Sequence, residues 1–413
     1  MKERTLAWAL PVMALLAPRV LSRRRRLRRL AIPPDALEYD RLGWNLAAHG
    51  SFSLADPPGV ADLTRTPVYP LFVAVCYRLV GHNPAVPVVV QAVLAAMTVA
   101  LVYRACRLLS CDSAPLAATL VAFDPLSIRY ATHLLSETLF TLLFTGSLTV
   151  WLAYLRSPRT VWAAAAAALT GLAILCRPIA VLWPFVLTAL PMVVAMHVRS
   201  WRPLVHLVAL GGIVLGIVAP WVARNWAITG RPVLATVQGI NLYYHRAAPV
   251  IAAEQGISLD DARERLRERL ETAVARDRLD SHQADALMET WGREIVRAAP
   301  GTYLLVHAEG VARMFAPQDD PPARIGLSST VQFVAESAVL LFLFPAALVG
   351  LAVGLRRPEW PGVLLLGLAV VYFAALSGPE AYARFRVPLM PILAILASVG
   401  LSSPRRQGRG SVA

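Results

Sequence analysis

The sequence predicts an all-α polytopic membrane protein, and three observations carry that reading. Of 413 residues, 57% are hydrophobic and 16% charged, with a mean hydropathy of +0.55. A chain this apolar and this long has room for many spans and too little polar surface for a soluble globule. Apolar runs of near-span length recur from end to end, and acidic residues stay out of their centres and collect near their ends and in a few loops between.

Charge and cysteine content narrow the class. The net charge of +14 is almost wholly arginine, since Lys2 is the only lysine. In a membrane protein that excess points to loop topology and to the phosphates of membrane lipids, with no nucleic-acid partner. Cys76, Cys106, Cys111 and Cys176 lie in or beside apolar runs without zinc-ligand or redox spacing, so neither a disulfide nor a cysteine-bound metal is expected.

Taken in order, Thr5 to Leu21 follows a basic start (Lys2, Arg4) as a signal peptide would, but Arg19 and the Arg23–Arg29 cluster stand where a small-residue cleavage site belongs. A retained span is expected. Further spans are expected over Ala85–Val102, Ala114–Ile128, Leu134–Leu155, Val161–Leu175, Ile179–Val198, Leu204–Val222, Val331–Leu355, Gly362–Leu376 and Val387–Leu401, about ten in all. Pro67–Val80 is expected to lie at the interface without crossing. Each cytoplasmic loop then holds a basic pair: Arg104/Arg107, Arg156/Arg159, Arg199/Arg202 and Arg356/Arg357, with Arg405, Arg406 and Arg409 in the tail. The Arg23–Arg29 cluster falls on the outer side in this topology, against anionic lipid phosphates.

Three regions follow: a membrane half over 1–223 carrying a first outer loop at 23–66, an extracytoplasmic helical loop over 224–328, and C-terminal membrane helices with a short cytoplasmic tail over 329–413. The expected location is the plasma (inner) membrane, with the functional loops on the extracytoplasmic face. In the large loop, Ser258-Leu259-Asp260-Asp261 reads as a helix start, and Ala262, Leu266, Leu270 and Ala273 recur at helical spacing. Helices are expected from about Leu259 to Ala275 and from about Ser281 to Ala298, the second ended before Pro300. The acids and arginines interleaved there read as a solvated face.

Elimination isolates the remaining acids. Glu3, Asp112 and Glu359 map to the cytoplasmic side, and Asp56, Asp62, Asp319 and Asp320 sit in turns. Glu309 and Glu336 fall near span ends. Asp35, Glu38, Asp40, Asp124, Glu137 and Glu380 are left, all at the expected outer rim. In a helix opening near Asp35, Tyr39 shares its face at i+4 and Glu38 at i+3. Following Pro33-Pro34 and three residues before Glu38, Asp35 reads equally as a simple N-cap.

The pattern D-x-x-x-Y from Asp35, N-L-x-x-x-G-S-F from Asn45 and R-T-P-x-Y-P from Arg65 resembles the first extracytoplasmic loop of the polyprenyl-phosphate-sugar glycosyltransferases of the GT-C superfamily. That group holds the protein O-mannosyltransferases and the lipid A aminoarabinose transferases. Asp124-Pro125 with Ser136-Glu137 resembles its second outer loop, and Pro220-Trp221 to Arg224-Asn225 its PW-x-x-RN segment. Pro300 to Tyr303 matches a soft P-x-x-Y pattern, and Arg384-Phe385-Arg386-Val387-Pro388 matches an R-[FY]-R-x-P turn. Ala36 departs from the adjacent Asp-Glu of the mannosyltransferase branch, and Arg65 stands where some relatives have lysine. The large soluble C-terminal domains of some relatives have no counterpart, which favours a lipid- or glycan-linked acceptor over a protein.

The resemblance implies transfer of a sugar from a polyprenyl phosphate donor to an acceptor hydroxyl, with inversion. Asp35 would be the general base, Glu137 would orient the acceptor or a metal, and Arg65 would hold the donor phosphate, with Arg384 and Arg386 as further phosphate ligands. An interfacial snorkelling pair is the alternative for the last two. Glu38, Tyr39, Tyr69, His133 and Asn225 are supporting candidates, while Arg224 reads as structural beside Trp221 and Trp226. A divalent cation shared by Asp35, Glu38 and Glu137 is left open. Two rival classes, a lipid-linked-sugar transporter and a non-catalytic assembly subunit, fit less well. The span centres are nearly free of charge and show no internal repeat, and an assembly subunit does not need the ordered acids and arginines.

Overall fold

The computed structural model describes residues 33–57, 59–188, 202–317 and 329–402. The expected span over Thr5–Leu21, the Arg23–Arg29 cluster, Arg199, Asp319, Asp320 and the tail arginines lie outside these residues. Among the described residues the regular structure is helical, with no strand.

The chain enters through α1 (Pro34–His49), started by Pro34 in its first turn with Asp35 beside it and ended by Gly50 at φ 65. Proline suits a first turn, whose N–H groups lack helical partners, and glycine takes the left-handed closing position without a Cβ penalty. Asp35 is therefore not the N-cap: Pro33 occupies that place and makes no side-chain cap bond. The loop after α1 is held by Asn45, whose Nδ2 donates to the carbonyls of Ser53 (2.7 Å) and Ala55 (3.0 Å). That bonding accounts for the asparagine in the N-L-x-x-x-G-S-F pattern.

Helix α2 (Val68–Val80) has 13 residues, about 20 Å at 1.5 Å per residue and short of a hydrocarbon core of about 30 Å. It buries Tyr69, Val73 and Tyr77 on one side and leaves the apolar Leu71, Val75 and Leu79 exposed on the other.

Among the described residues six helices are long and apolar enough to cross a membrane: Ala85–Leu108, Glu137–Arg156, Val208–Thr229, Phe333–Gly354, Trp360–Ser377 and Ala383–Leu401. Thr160–Cys176 and Pro178–Thr188 are shorter apolar helices. The expected count of ten is not confirmed by these: Thr5–Leu21 and the second half of Ile179–Val198 lie outside the described residues. One expected span, Ala114–Ile128, is not continuous: it divides into Ala114–Ala122 and Pro125–Ala131. The physical reason lies in Asp124-Pro125. Proline cannot donate into the preceding turn, and the Asp124 carboxylate accepts from the Ser127 N–H at 2.7 Å, starting a new helix.

The apolar helices share one hydrophobic core. The closest approach joins Ser329–Gly354 to Met390–Leu401, where a Cβ on Gly350 would lie 1.8 Å from the Leu396 carbonyl oxygen. Backbones meet that closely only at glycine, the small-residue packing typical of membrane helices.

Over this bundle sits a cap of helices with its own small core around Tyr243, Ala248, Ala262, Leu266 and Met288. Two of them run Leu259–Asp277 and Ser281–Ala298, within two residues of expectation. Ser258 caps the first through the Asp261 N–H, and Asp280 and Gln283 form a reciprocal capping box on the second. Pro300 does close the second helix, and it also opens the next one, Pro300–Phe315.

Candidate active site

Three acids and three arginines form one continuous row at the rim of the bundle. Glu38 accepts from Arg65 Nε at 2.7 Å, and Arg65 also donates to Asp35 Oδ1 at 2.7 Å. The other Asp35 oxygen, Oδ2, accepts from Arg384 at 3.0 Å. Arg384 continues to Glu137 Oε1, and that same oxygen accepts from Arg177. Charges alternate along the whole row.

Each member is placed by a local feature. Asp35 and Glu38 lie on the first turns of α1. Arg65 is set by Asp62, whose carboxylate accepts from the Arg65 N–H (3.0 Å) and the Thr64 hydroxyl (2.7 Å); Asp62 is thus the turn former expected of it. Glu137 begins the Glu137–Arg156 helix and its side chain is 1% exposed. Arg177 follows the end of Thr160–Cys176 in an extended conformation before Pro178. Arg384 belongs to the 3-10 segment Ala383–Leu389.

Burial alone would raise the Asp35 pKa, but the Arg65 and Arg384 guanidinium groups outweigh it and hold the carboxyl below its ordinary value. Asp35 is therefore ionised at neutral pH. Tyr39 lies under the row, with the Arg65 guanidinium 5.2 Å from its ring centroid and its hydroxyl 3.4 Å from Ser136 Oγ. Burial raises its pKa, so it stays a neutral phenol. Tyr69 packs edge-on against Tyr39, centroids 4.6 Å apart, and donates to Gln91 Oε1 at 2.5 Å. Gln91 in turn donates to the carbonyls of Ala131 (3.1 Å) and His133 (2.7 Å). His133 is half-buried and donates from Nδ1 to the Arg129 carbonyl at 2.8 Å. Tyr39, Tyr69 and His133 thus belong to the floor of the site.

Other expected site residues lie elsewhere. Arg386 is fully buried and donates to Glu336 and to the carbonyls of Met314 (2.7 Å) and Ala316 (2.8 Å), apart from the row. Asn225 is fully buried and donates to the carbonyls of Val233 and Leu234, both at 3.1 Å, a structural tie. Arg224 lies 4.5 Å over Trp221 and donates to the Asp62 carbonyl at 3.0 Å. Asp40 accepts from Tyr77 and lies 3.0 Å from His82, on another side of α1. Glu380 pairs with Arg246 at 3.3 Å, and burial raises its pKa against the pull of that arginine.

The row does not fit a shared divalent cation. Among the described residues no group of three His, Cys, Asp or Glu side chains could hold a metal. Asp35, Glu38 and Glu137 are separated by guanidinium groups whose charge repels a cation. What the row can do is hold an anion on arginines beside an ionised carboxylate.

Arg177 is the member that sequence reasoning passed over. The signal was present: no acid occurs between Glu137 and Glu254, so an arginine at an apolar helix end had to find its counter-charge across the fold.

Residues 64–223 match the protein-family model described as dolichyl-phosphate-mannose-protein mannosyltransferase. No curated protein matches the chain by sequence. Among solved structures, the oligosaccharyltransferase of Archaeoglobus fulgidus in complex with Zn and sulfate superposes with a TM-score of 0.55 at 14% identity, covering 95% of this chain and 48% of its own. The Archaeoglobus fulgidus AglB complex with an inhibitory peptide and a dolichol-phosphate gives a TM-score of 0.51 at 13% identity, covering 94% and 50%. ArnT from Cupriavidus metallidurans bound to undecaprenyl phosphate gives 0.42 at 15% identity, covering 96% and 77%. The chain spans about half the length of the archaeal structures it matches.

Proposed function

We propose that the chain is a GT-C superfamily member, supported by its fold and its 64–223 match, and that it is a membrane glycosyltransferase moving a sugar from a polyprenyl phosphate donor to an acceptor hydroxyl. The observation that carries this reading is Asp35, an ionised carboxylate split between Arg65 and Arg384. The reaction needs a base for the hydroxyl proton and cations for the leaving phosphate, and both stand within one hydrogen-bonded row.

In the proposed mechanism the acceptor hydroxyl attacks the anomeric carbon from the face opposite the lipid phosphate. As the new C–O bond forms, the hydroxyl proton passes to Asp35, a general-base contribution of about 10²–10⁴ in rate. The sugar–phosphate C–O bond breaks with its electron pair staying on the phosphate, whose growing charge is held by Arg65 and Arg384. One displacement gives inversion. Glu137 keeps Arg384 aimed at this centre, while Tyr39 and Tyr69 support Arg65 from below. The acceptor is lipid- or glycan-linked, and the site faces the extracytoplasmic side of the plasma (inner) membrane.

The test is turnover by the purified full-length chain in lipid vesicles. With a polyprenyl phosphate sugar and an acceptor glycan, release of polyprenyl phosphate and glycosylated acceptor are expected together. Movement of the intact donor across the vesicle without release would favour a transporter instead.

A further inference from the structure

Arg177 and Arg384 converge on one atom. Both donate to Glu137 Oε1, while Glu137 Oε2 is buried without a hydrogen-bond partner among the described residues. A carboxylate usually spreads two guanidinium groups over its two oxygens, so two cations on one oxygen leave the other acceptor idle and give each guanidinium only part of its usual pairing. Arg177 shows this directly. Glu137 is its one side-chain hydrogen-bond partner among the described residues, and 23% of its side chain remains exposed. It also feels the repulsion of Arg384.

The corner that carries Arg177 is tied to the rest of the row. The Thr66 hydroxyl donates to the Cys176 carbonyl at 3.0 Å, and Cys176 Sγ lies 3.8 Å from the Ser136 carbonyl. The chain neighbours of Arg65, Arg177 and Glu137 are therefore bonded to one another. This tie fixes Arg177 in place independently of its own ion pair.

We propose that Arg177 and Arg384 together seat the donor's lipid phosphate, and that a phosphate seated there draws Arg384 off Asp35, so that the base is released only when the donor is bound. The inference rests on the glycosyltransferase reading and adds a residue and a control step to it. A phosphodiester has two non-bridging oxygens, one for each guanidinium, and Arg177 brings donors that Glu137 does not use. Asp35 is faced by Arg65 from the loop, Arg384 from the 3-10 segment, and Glu38 and Tyr39 from its own helix. It is also within electrostatic reach of His245 on the Asn241–Ala247 segment. Of these, Arg384 is the group that also binds Glu137 beside Arg177, so it alone links phosphate binding to the base.

The experiment measures binding of polyprenyl phosphate, against unphosphorylated polyprenol of the same length, to full-length protein in detergent. Wild type should prefer the phosphate; equal binding would overturn the lipid-phosphate reading itself. Arg177→Gln should weaken phosphate binding by about tenfold or more and Arg177→Lys by less, one lost charge-assisted contact being worth about a factor of ten. Glu137→Gln, which removes the competing carboxylate, should tighten it. The Glu137→Gln/Arg177→Gln double variant leaves no unpaired buried charge and keeps the test open if the single Arg177 variant fails to fold. It should bind more weakly than Glu137→Gln alone. Equal binding by those two variants would reduce Arg177 to a counter-ion and overturn the assignment. Release of the base has its own readout: the acid limb of kcat, set by the donor complex, should lie at higher pH than that of kcat/KM, set by the free enzyme. Coincident limbs would overturn the release step.

Discussion

Arg384 meets Asp35 at 3.0 Å although 349 positions of sequence separate them. The first helix after the N-terminal region and the last turn before the final helix are thus joined by one ion pair, and the proposed site closes around it. The two arginines of the R-F-R turn play different parts, because Arg386, two residues on, is buried with Glu336 instead. Arg386→Leu should lower stability by about 3–5 kcal/mol by leaving Glu336 buried without its cation. Arg384→Gln should lose transfer with a much smaller stability change. Thermal unfolding and turnover of the two variants separate these outcomes.

Arg65 binds both Asp35 and Glu38 with a forked guanidinium. A lysine carries the charge but cannot hold two partners in that geometry. Arg65→Lys should keep some turnover and Arg65→Ala should lose far more, with donor KM and kcat measured in the same membranes. An alanine variant with unchanged constants would remove Arg65 from the site.

The Asp35 pKa is held below its usual value by its two arginines against the effect of burial. A depressed folded pKa keeps the base form present as pH falls, and the base form is lost only as pH passes below that folded pKa. The acid limb of the wild-type kcat/KM profile should therefore lie below the ordinary range of an aspartate. Removing a cation reverses the effect, so the acid limb of Arg384→Gln should move to higher pH. A limb that stayed put or moved lower would contradict the pairing.

The arginine pairs between apolar segments predict a topology that a reporter can test. A reporter active only outside the cytoplasm should be active when fused at Ser53 or Ser281 and silent at Ser110 or after Leu401. Activity at Ser110 would reverse the loop carrying Arg104 and Arg107.

Elements with local punctuation were legible in the sequence. Ser258 before Asp261 and Pro300 after Ala298 bound the cap helices because capping and proline sterics act over a few residues. The interfacial reading of Pro67–Val80 rests on the arginine pairs, and the structure adds only that its helix has 13 residues. The Ala114–Ile128 segment misled because its apolar run hides Asp124-Pro125, a break that hydropathy averages over. In the row, Asp35, Arg65, Glu137 and Arg384 were named from motifs, but their pairing is long-range and no spacing rule reports it. Arg386 looked equivalent to Arg384 since both stand in one turn; the 3-10 backbone sends one to the row and the other into the core.

Transfer by Asp35→Asn tests the central claim most directly. Asn keeps the size of the side chain and its Oδ1 can still accept from one of the two arginines, but its Nδ2 cannot accept from the other and the amide cannot take a proton. Asp35 makes no cap bond, so the substitution costs the helix little. The measurement is sugar transfer from an isolated polyprenyl phosphate sugar in membranes holding equal amounts of folded wild type and variant, with Glu137→Gln as companion. The account predicts that Asp35→Asn loses at least about 10²-fold in kcat while donor binding survives, and that Glu137→Gln loses only part. Near-normal transfer by Asp35→Asn would contradict it and leave Glu38 as the remaining carboxylate of the exposed end of the row.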